Sequence, residues 1–297
     1  MLLRDLDFFV FVAETRSFRK AAERADVTQP AVTKAINRLE RELGLNLLNR
    51  TRAGADLTEA GAAFLKRAKQ LRLDLQDALR EAADIRSRRQ GLLRVGVAPS
   101  LVGTLFHRGC ALFLQQRPAA RFELTIALSD QLFSKLRRGE VDLVISAIPS
   151  PLPADFSAAL IGYSSIYVVA DPEHSVLSKR RLRLEHLTES KWILPRRGVV
   201  ARDWLDGLFI SRQLPLPISK IEMDTQSADL LRLATATDLL AIAAGLSTLE
   251  LSAAGLAVVP LPETQWRRSI GALTRSGGST PPMVSHLVEV LGQVCGR

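Results

Sequence analysis

The 297-residue sequence is poor in cysteine and histidine and has no long apolar run; each shortage removes a class of explanation. Its two cysteines, Cys110 and Cys295, stand far apart and make no disulfide framework, which points to a reducing compartment, the cytoplasm. Its four histidines show neither C-x-x-C nor H-x-x-x-H spacing, so no metal site is expected. The longest apolar stretches, such as Leu239–Leu246, fall far short of the roughly 18 residues of a membrane span. Met1-Leu2-Leu3-Arg4-Asp5 carries an acid early and lacks a secretory layout, so a cytoplasmic chain is expected. A Gly-x-Ser-x-Gly elbow, a Gly-rich phosphate loop and a Ser/His/Asp order are all missing. No enzyme and no cofactor are expected.

What is present is ordinary globular usage, 47% hydrophobic and 24% charged. The length suits about two domains of roughly 100–200 residues. The net charge is +9, and it is unevenly spread. Residues 1–90 hold 18 basic and 13 acidic side chains, against 22 and 18 in residues 91–297. The surplus in the first third favours a polyanionic partner without requiring one.

Leu6, Phe9, Val10 and Ala13 recur at helical spacing and predict a helix over Leu3 to Glu14. Ser17 stands as N-cap before Phe18 to Ala25, and Asp26-Val27-Thr28 ends that helix. Thr28 caps a third helix, Thr28–Glu42, with Pro30 in its first turn, where a missing N–H costs nothing. This helix should bury Val32, Ile36, Leu39 and Leu43 and expose Gln29, Thr33, Lys34, Asn37 and Arg38. Small Ala22 lets two helices cross closely, leaving the polar face free to enter a major groove. There Gln29 suits adenine, Thr33 a thymine methyl, and Lys34 or Arg38 guanine or phosphate, with Pro30 near the base edges. An ordinary three-helix unit with a solvated face is the plainer alternative. Leu45 to Leu57 reads as a hairpin turning at Gly54, and Arg50 and Arg52 on it suit a wing on phosphate or minor groove.

Ala21-Ala22-Glu23, Val27-Thr28-Gln29-Pro30-Ala31-Val32-Thr33, Ile36-Asn37-Arg38-Leu39-Glu40, Leu43-Gly44 and Leu57-Thr58-Glu59-Ala60-Gly61 follow one another at specific spacing. This run resembles the amino-terminal domain of LysR-type transcriptional regulators. It departs from the family at Leu48-Asn49, where Phe and an acid are usual, and at Ala35, where a polar residue is common. The resemblance implies sequence-specific binding to double-stranded promoter DNA, a homodimer assembled into a homotetramer, RNA polymerase as a further partner, and autoregulation of its own gene.

Thr58 caps a long helix in which Phe64, Ala68, Leu71, Leu75, Ala78, Ala82 and Ile85 form a heptad stripe. One stripe needs a facing stripe, so a homodimer seam is expected; packing against its own domain is the alternative. Ser87-Arg88-Arg89-Gln90-Gly91 reads as a hinge. The expected division is a winged helix-turn-helix domain at 1–60, a linker helix and hinge at 61–90, and a regulatory domain at 91–297.

From Leu92 onward strands alternate with helices, the pattern of an α/β domain with a largely parallel sheet. Strands are expected at Leu92 to Ala98, Phe122 to Leu128, Val141 to Ile148, Tyr163 to Ala170, Trp192 to Leu194, Ile218 to Met223, Leu239 to Ala243, Leu256 to Leu261 and Ser269 to Arg275. Helices are expected at Leu101 to Gln116, Gln131 to Arg138, Ala201 to Gln213, Ser227 to Ala234 and Pro282 to Val294. The two lobes resemble the type 2 periplasmic-binding-protein-like sensor domain of the same family. Ligands in open α/β sheets bind at carboxyl ends of strands. Those ends offer Ser100, Ser129, Gln131, Ser146, Thr225 and Ser227, with Arg196 or Arg197 suited to a carboxylate. Each hydroxyl is also explicable as a helix cap. The expected function is a DNA-binding transcriptional regulator modulated by a small-molecule effector between the lobes, a sugar, aromatic acid or small carboxylate. The rival readings are a regulator or architectural DNA-binding protein whose sensor takes no ligand, and a transporter's solute-binding protein, which would need a secretion signal.

Overall fold

The computed structural model describes residues 3–51, 54–86, 91–223, 231–245, 247–277 and 281–295. The chain divides into two compact units, Met1–Arg88 and Arg89–Arg297.

In the first unit, α1 (Leu3–Thr15) buries Leu6, Phe9, Val10 and Val12. The next helix, α2 (Phe18–Arg24), starts where the Ser17 hydroxyl accepts a hydrogen bond from the Lys20 N–H at 3.3 Å. The third, α3 (Gln29–Leu43), begins with Thr28 in extended conformation, but the Thr28 hydroxyl makes no capping bond. Val32, Ala35, Ile36 and Leu39 are buried against α1 and α2, and Leu43 is only half-buried. A hairpin follows, β1 (Leu48–Thr51) antiparallel to β2 (Gly54–Leu57). Gly54 does more than turn the chain: a Cβ there would lie 2.2 Å from the Arg16 carbonyl oxygen, so the hairpin seats directly on the α1–α2 turn.

The long helix α4 (Glu59–Arg86) is capped by Thr58, whose hydroxyl accepts from the Gly61 N–H at 2.9 Å. Its stripe divides. Phe64 packs on Phe9 with ring centroids 5.4 Å apart, and Ala68 is fully buried, so these positions serve the unit's own core. Leu71, Ala78 and Ala82 are exposed, and Leu75 is half-exposed; the Ile85 side chain lies outside the described residues. A single uniform seam from Phe64 to Ile85 is therefore a misreading, because α1 takes its first two positions.

The second unit holds one mixed sheet. Strands β3 (Leu92–Val97), β4 (Arg121–Ile126) and β5 (Leu143–Ala147) run parallel at one side. At the other side β7 (Lys191–Pro195), β8 (Ile218–Met223) and β9 (Leu239–Ala244) run parallel. Two long strands, β6 (Phe156–Ala170) and β11 (Gln265–Arg275), cross between them and pair antiparallel with each other, with β5 and with β9. The sheet is thus less parallel than its pattern suggests. The short β10 (Ala257–Val258) adds to β6 and is all that forms of the strand expected to reach Leu261.

Each half has its own core. In the first, α5 (Pro99–Leu101), a π-helical turn (Val102–Phe106) and α6 (His107–Gln116) replace the single helix expected from Leu101. They pack with α10 (Pro282–Val294) on one face of β3 and β5. On the other face, α7 (Ser129–Arg137) covers Val144, Phe156 and Leu273. In the second half, α8 (Val200–Ser211) covers Trp192, Leu194 and Ile242. The opposite face is closed by a 3-10 turn (Arg232–Thr235) and α9 (Thr248–Ala253), a helix that the sequence pattern did not suggest.

Candidate nucleic-acid interface and sensor cleft

The outward face of α3 is the face its core residues leave behind. Gln29, Pro30, Lys34 and Arg41 are exposed, at helical spacing that sets them on one side, and Thr33 is half-buried beside them. Arg41 extends this basic face beyond the residues singled out from spacing. Arg38 does not stand free. Its Nε donates to Asp5 Oδ2 at 2.9 Å and its Nη2 to Asp5 Oδ1, and Asp5 is fully buried. The hydrogen bonds to Asp5 raise the Arg38 pKa above the ordinary value. A guanidinium engaged this way ties α3 to α1, and its side chain stays 38% exposed.

The wing is fixed to α3 by Glu40, whose Oε1 accepts from the backbone N–H groups of Leu47 and Leu48 at 2.7 and 3.1 Å. Leu48 is buried under the hairpin, so an aliphatic side chain fills the site where the family usually has Phe. Arg50 pairs with Ala55 in the ladder, and Arg52 lies outside the described residues. Ala35 is buried and reaches no surface.

In the second unit, Ser129 at the head of α7 and Ser146 on β5 are brought together, their hydroxyls 2.7 Å apart, with Ser146 fully buried. Ser100 follows β3; its carbonyl accepts from the Thr104 hydroxyl at 3.1 Å. Gln131, Arg196 and Arg197 are exposed, and Thr225 and Ser227 lie outside the described residues. The halves meet closely at Gly245, where φ is +83° and a Cβ would lie 2.2 Å from the Ser100 carbonyl oxygen. Beside this contact a cleft of about 610 Å³ is lined by Leu101, Thr104, Tyr163, Ser164, Tyr167 and Glu250, among others. None of the described residues expected to meet an effector lines it. Glu250 is held below the usual carboxylate range by hydrogen bonds from the Ser247 backbone and hydroxyl, with Arg108 adding to the effect. Among the described residues no group of three His, Cys, Asp or Glu is placed to hold a metal ion, and no helix is long and apolar enough to cross a membrane.

A winged helix-turn-helix unit with a basic outer face, joined to a two-lobed α/β unit with a cleft, defines a DNA-binding regulator with a sensor domain. Comparison with known proteins is specific. The bacterial regulatory helix-turn-helix protein, lysR family, model matches residues 3–62, and the LysR substrate binding domain model matches residues 86–296. The HTH-type transcriptional regulator PcaQ of Agrobacterium fabrum is 27% identical over 296 residues, covering 99% of this chain and 95% of that protein. The regulator GalR of Pseudomonas putida is 29% identical over 299 residues, covering 98% and 73%. Of solved structures, full-length CbnR complexed with its target DNA has 23% identity and a TM-score of 0.50, covering 99% of this chain and 100% of that one. A Corynebacterium glutamicum OxyR C206 mutant has 21% identity and a TM-score of 0.57, covering 99% and 91%. These structural likenesses carry the fold. The chain belongs to the LysR family of bacterial transcriptional regulators, with a helix-turn-helix DNA-binding domain and an effector-binding domain.

Proposed function

We propose that α3 enters the major groove of promoter DNA, with Gln29, Pro30, Thr33 and Lys34 near base edges and Arg50 and Arg52 on the backbone. The observation that carries this reading is the exposed row Gln29, Pro30, Lys34 and Arg41 on a helix whose other face is closed by core. Arg38 serves by holding that helix to Asp5. The chain works as a homodimer through α4, supported by exposed Leu71 and Leu79, and as a tetramer of two such dimers. It acts in the cytoplasm, with no catalytic step and no resident cofactor. A small-molecule effector between the two halves of the sensor, near Ser100, Ser129, Gln131, Ser146, Arg196, Arg197, Thr225 and Ser227, changes their closure and thereby the DNA complex that RNA polymerase meets. The test is competition binding of the promoter beside its own gene against scrambled duplex. A preference lost at one base pair in Gln29→Ala supports direct readout; equal affinity for both duplexes by the wild-type chain refutes the reading.

A further inference from the structure

Among the described residues, Arg72, Arg202, Arg268 and Arg275 each bury a side-chain nitrogen that meets no well-aligned acceptor. Three are nonetheless held by an acceptor. Arg72 Nε itself lies 2.5 Å from Asp7 Oδ1, Arg202 Nε donates to Asp206 at 2.8 Å, and Arg275 Nη1 donates to the Leu136 carbonyl at 3.2 Å. Arg268 differs. Both its Nε and its Nη2 are buried and unbonded, and among the described residues no acidic side chain pairs with it. Burial alone pushes its pKa down to about 10. Its approach to an aromatic ring is long, with Cζ 5.9 Å from the Trp266 ring centroid, and Trp266 is itself stacked on Trp204 of α8 at 5.6 Å. Burying a cation without a partner is costly, so such a group is retained where something else supplies the counter-charge.

A second orphan stands next to it. Arg268 on β11 is directly paired in register with Ser164 on β6, so both side chains leave the same face of the crossing strands as near neighbours. The Ser164 hydroxyl is also buried with no partner, and Ser164, though not Arg268, lines the 610 Å³ cleft. Neighbouring Arg267 turns to the opposite face, with Cζ 3.9 Å from the Tyr163 ring centroid, so the two arginines do not form one basic patch.

Resting on the reading of this domain as an effector sensor, we propose that Arg268 and Ser164 together receive one carboxylate of the effector. A guanidinium edge offers two parallel N–H donors that match the two oxygens of a carboxylate, and the hydroxyl adds a third donor. One cation and one hydroxyl balance a monoanion and leave a phosphate dianion undercompensated. The receptor sits where β6 and β11 pass from one half to the other, so an anion there bears on the strands that join them. Arg196 and Arg197, which the sequence pattern favoured for this role, are exposed.

The experiment measures melting temperature of the full chain with benzoate against benzamide and acetate against acetamide, with inorganic phosphate and sulfate as further arms. Carboxylates should raise it and the matched amides should not, since only a ligand preferring the native state stabilises it. Arg268→Gln should weaken carboxylate binding about 10- to 100-fold, the usual worth of a charge-assisted hydrogen bond. Arg268→Lys should fall between, and Ser164→Ala should weaken it less. Without ligand, Arg268→Gln and Arg268→Met should melt at or above the wild-type temperature, whereas a structural arginine would melt lower. The assignment is overturned if amides match carboxylates, if phosphate exceeds every carboxylate, or if no carboxylate stabilises the wild-type chain. It is also overturned if Arg197→Gln, and not Arg268→Gln, abolishes the effect. Stabilisation by a neutral sugar, undiminished in Arg268→Gln, would remove this assignment and leave the sensor reading standing.

Discussion

The buried carboxylate of Asp5 accepts two hydrogen bonds from the guanidinium of Arg38, tying the first helix of the DNA-binding unit to its third. An arginine on the polar side of a recognition helix would ordinarily be counted among phosphate contacts, and here it is already engaged. The prediction follows from the salt dependence of operator binding. Lys34→Ala should lower the slope of log affinity against log salt by about one, the signature of a lost phosphate contact. Arg38→Gln should leave the slope unchanged and lower the melting temperature, because Asp5 loses its partner. Asp5→Asn should reproduce the Arg38→Gln melting behaviour; a slope lowered by Arg38→Gln would place that side chain on DNA.

Glu14 links three helices, accepting from Arg24 at 2.7 Å and pairing with Lys69 at 3.0 Å. Burial raises its pKa, but the hydrogen bonds from Lys69 and Arg24 outweigh burial and leave it below 4.5. A folded-state pKa below the unfolded one means that the ionised form stabilises the fold, fully above pH 4.5 and decreasingly as pH falls through the lowered value. Glu14→Gln should therefore cost stability at neutral pH, no more than about 1 kcal/mol for a pair this exposed. Urea midpoints of the two proteins should converge below pH 4.5.

The two parts of the α4 stripe should respond differently to substitution. Leu71→Glu in the stripe and Leu79→Glu beside it, both at exposed positions, should shift sedimentation toward monomer with little change in unfolding of the DNA-binding unit. Phe64→Ala removes a ring packed on Phe9 and should destabilise that unit by about 3 kcal/mol. Equal oligomer states for the wild-type chain and both Leu variants would remove α4 as the seam.

Gly245→Ala should be damaging although it adds one methyl group. The positive φ costs about 1–2 kcal/mol for any other residue, and the new Cβ collides with the Ser100 carbonyl. Gly103→Ala, where a Cβ meets nothing within 4 Å, serves as the control in the same urea titration.

Local signals were legible in the sequence and long-range ones were not. Ser17 and Thr58 announce their helices because a cap acts within three residues. Thr28 looks the same on paper, yet its hydroxyl is unused and its backbone alone starts α3. Arg38 read as a free cation because Asp5 lies 33 positions away. Tyr163 to Ala170 was recognisable as a strand, but Phe156 to Gly162 was not, since an irregularity in the β6–β11 register shifts the burial rhythm midway. Arg268 escaped notice for a related reason: a basic residue between Arg267 and Ser269 suggests a wet strand end, and only tertiary packing removes its water.

The first half of the sensor is stitched from distant parts of the chain. Leu93, Val95 and Phe113 share a core with Ile270, Val284, Leu287 and Leu291, whereas the second half closes using residues no later than Trp266. During synthesis the half begun earlier must therefore wait for the half begun later. A nonsense codon just before Pro282 would open the lobe that the ribosome made first and leave the other's interior sealed.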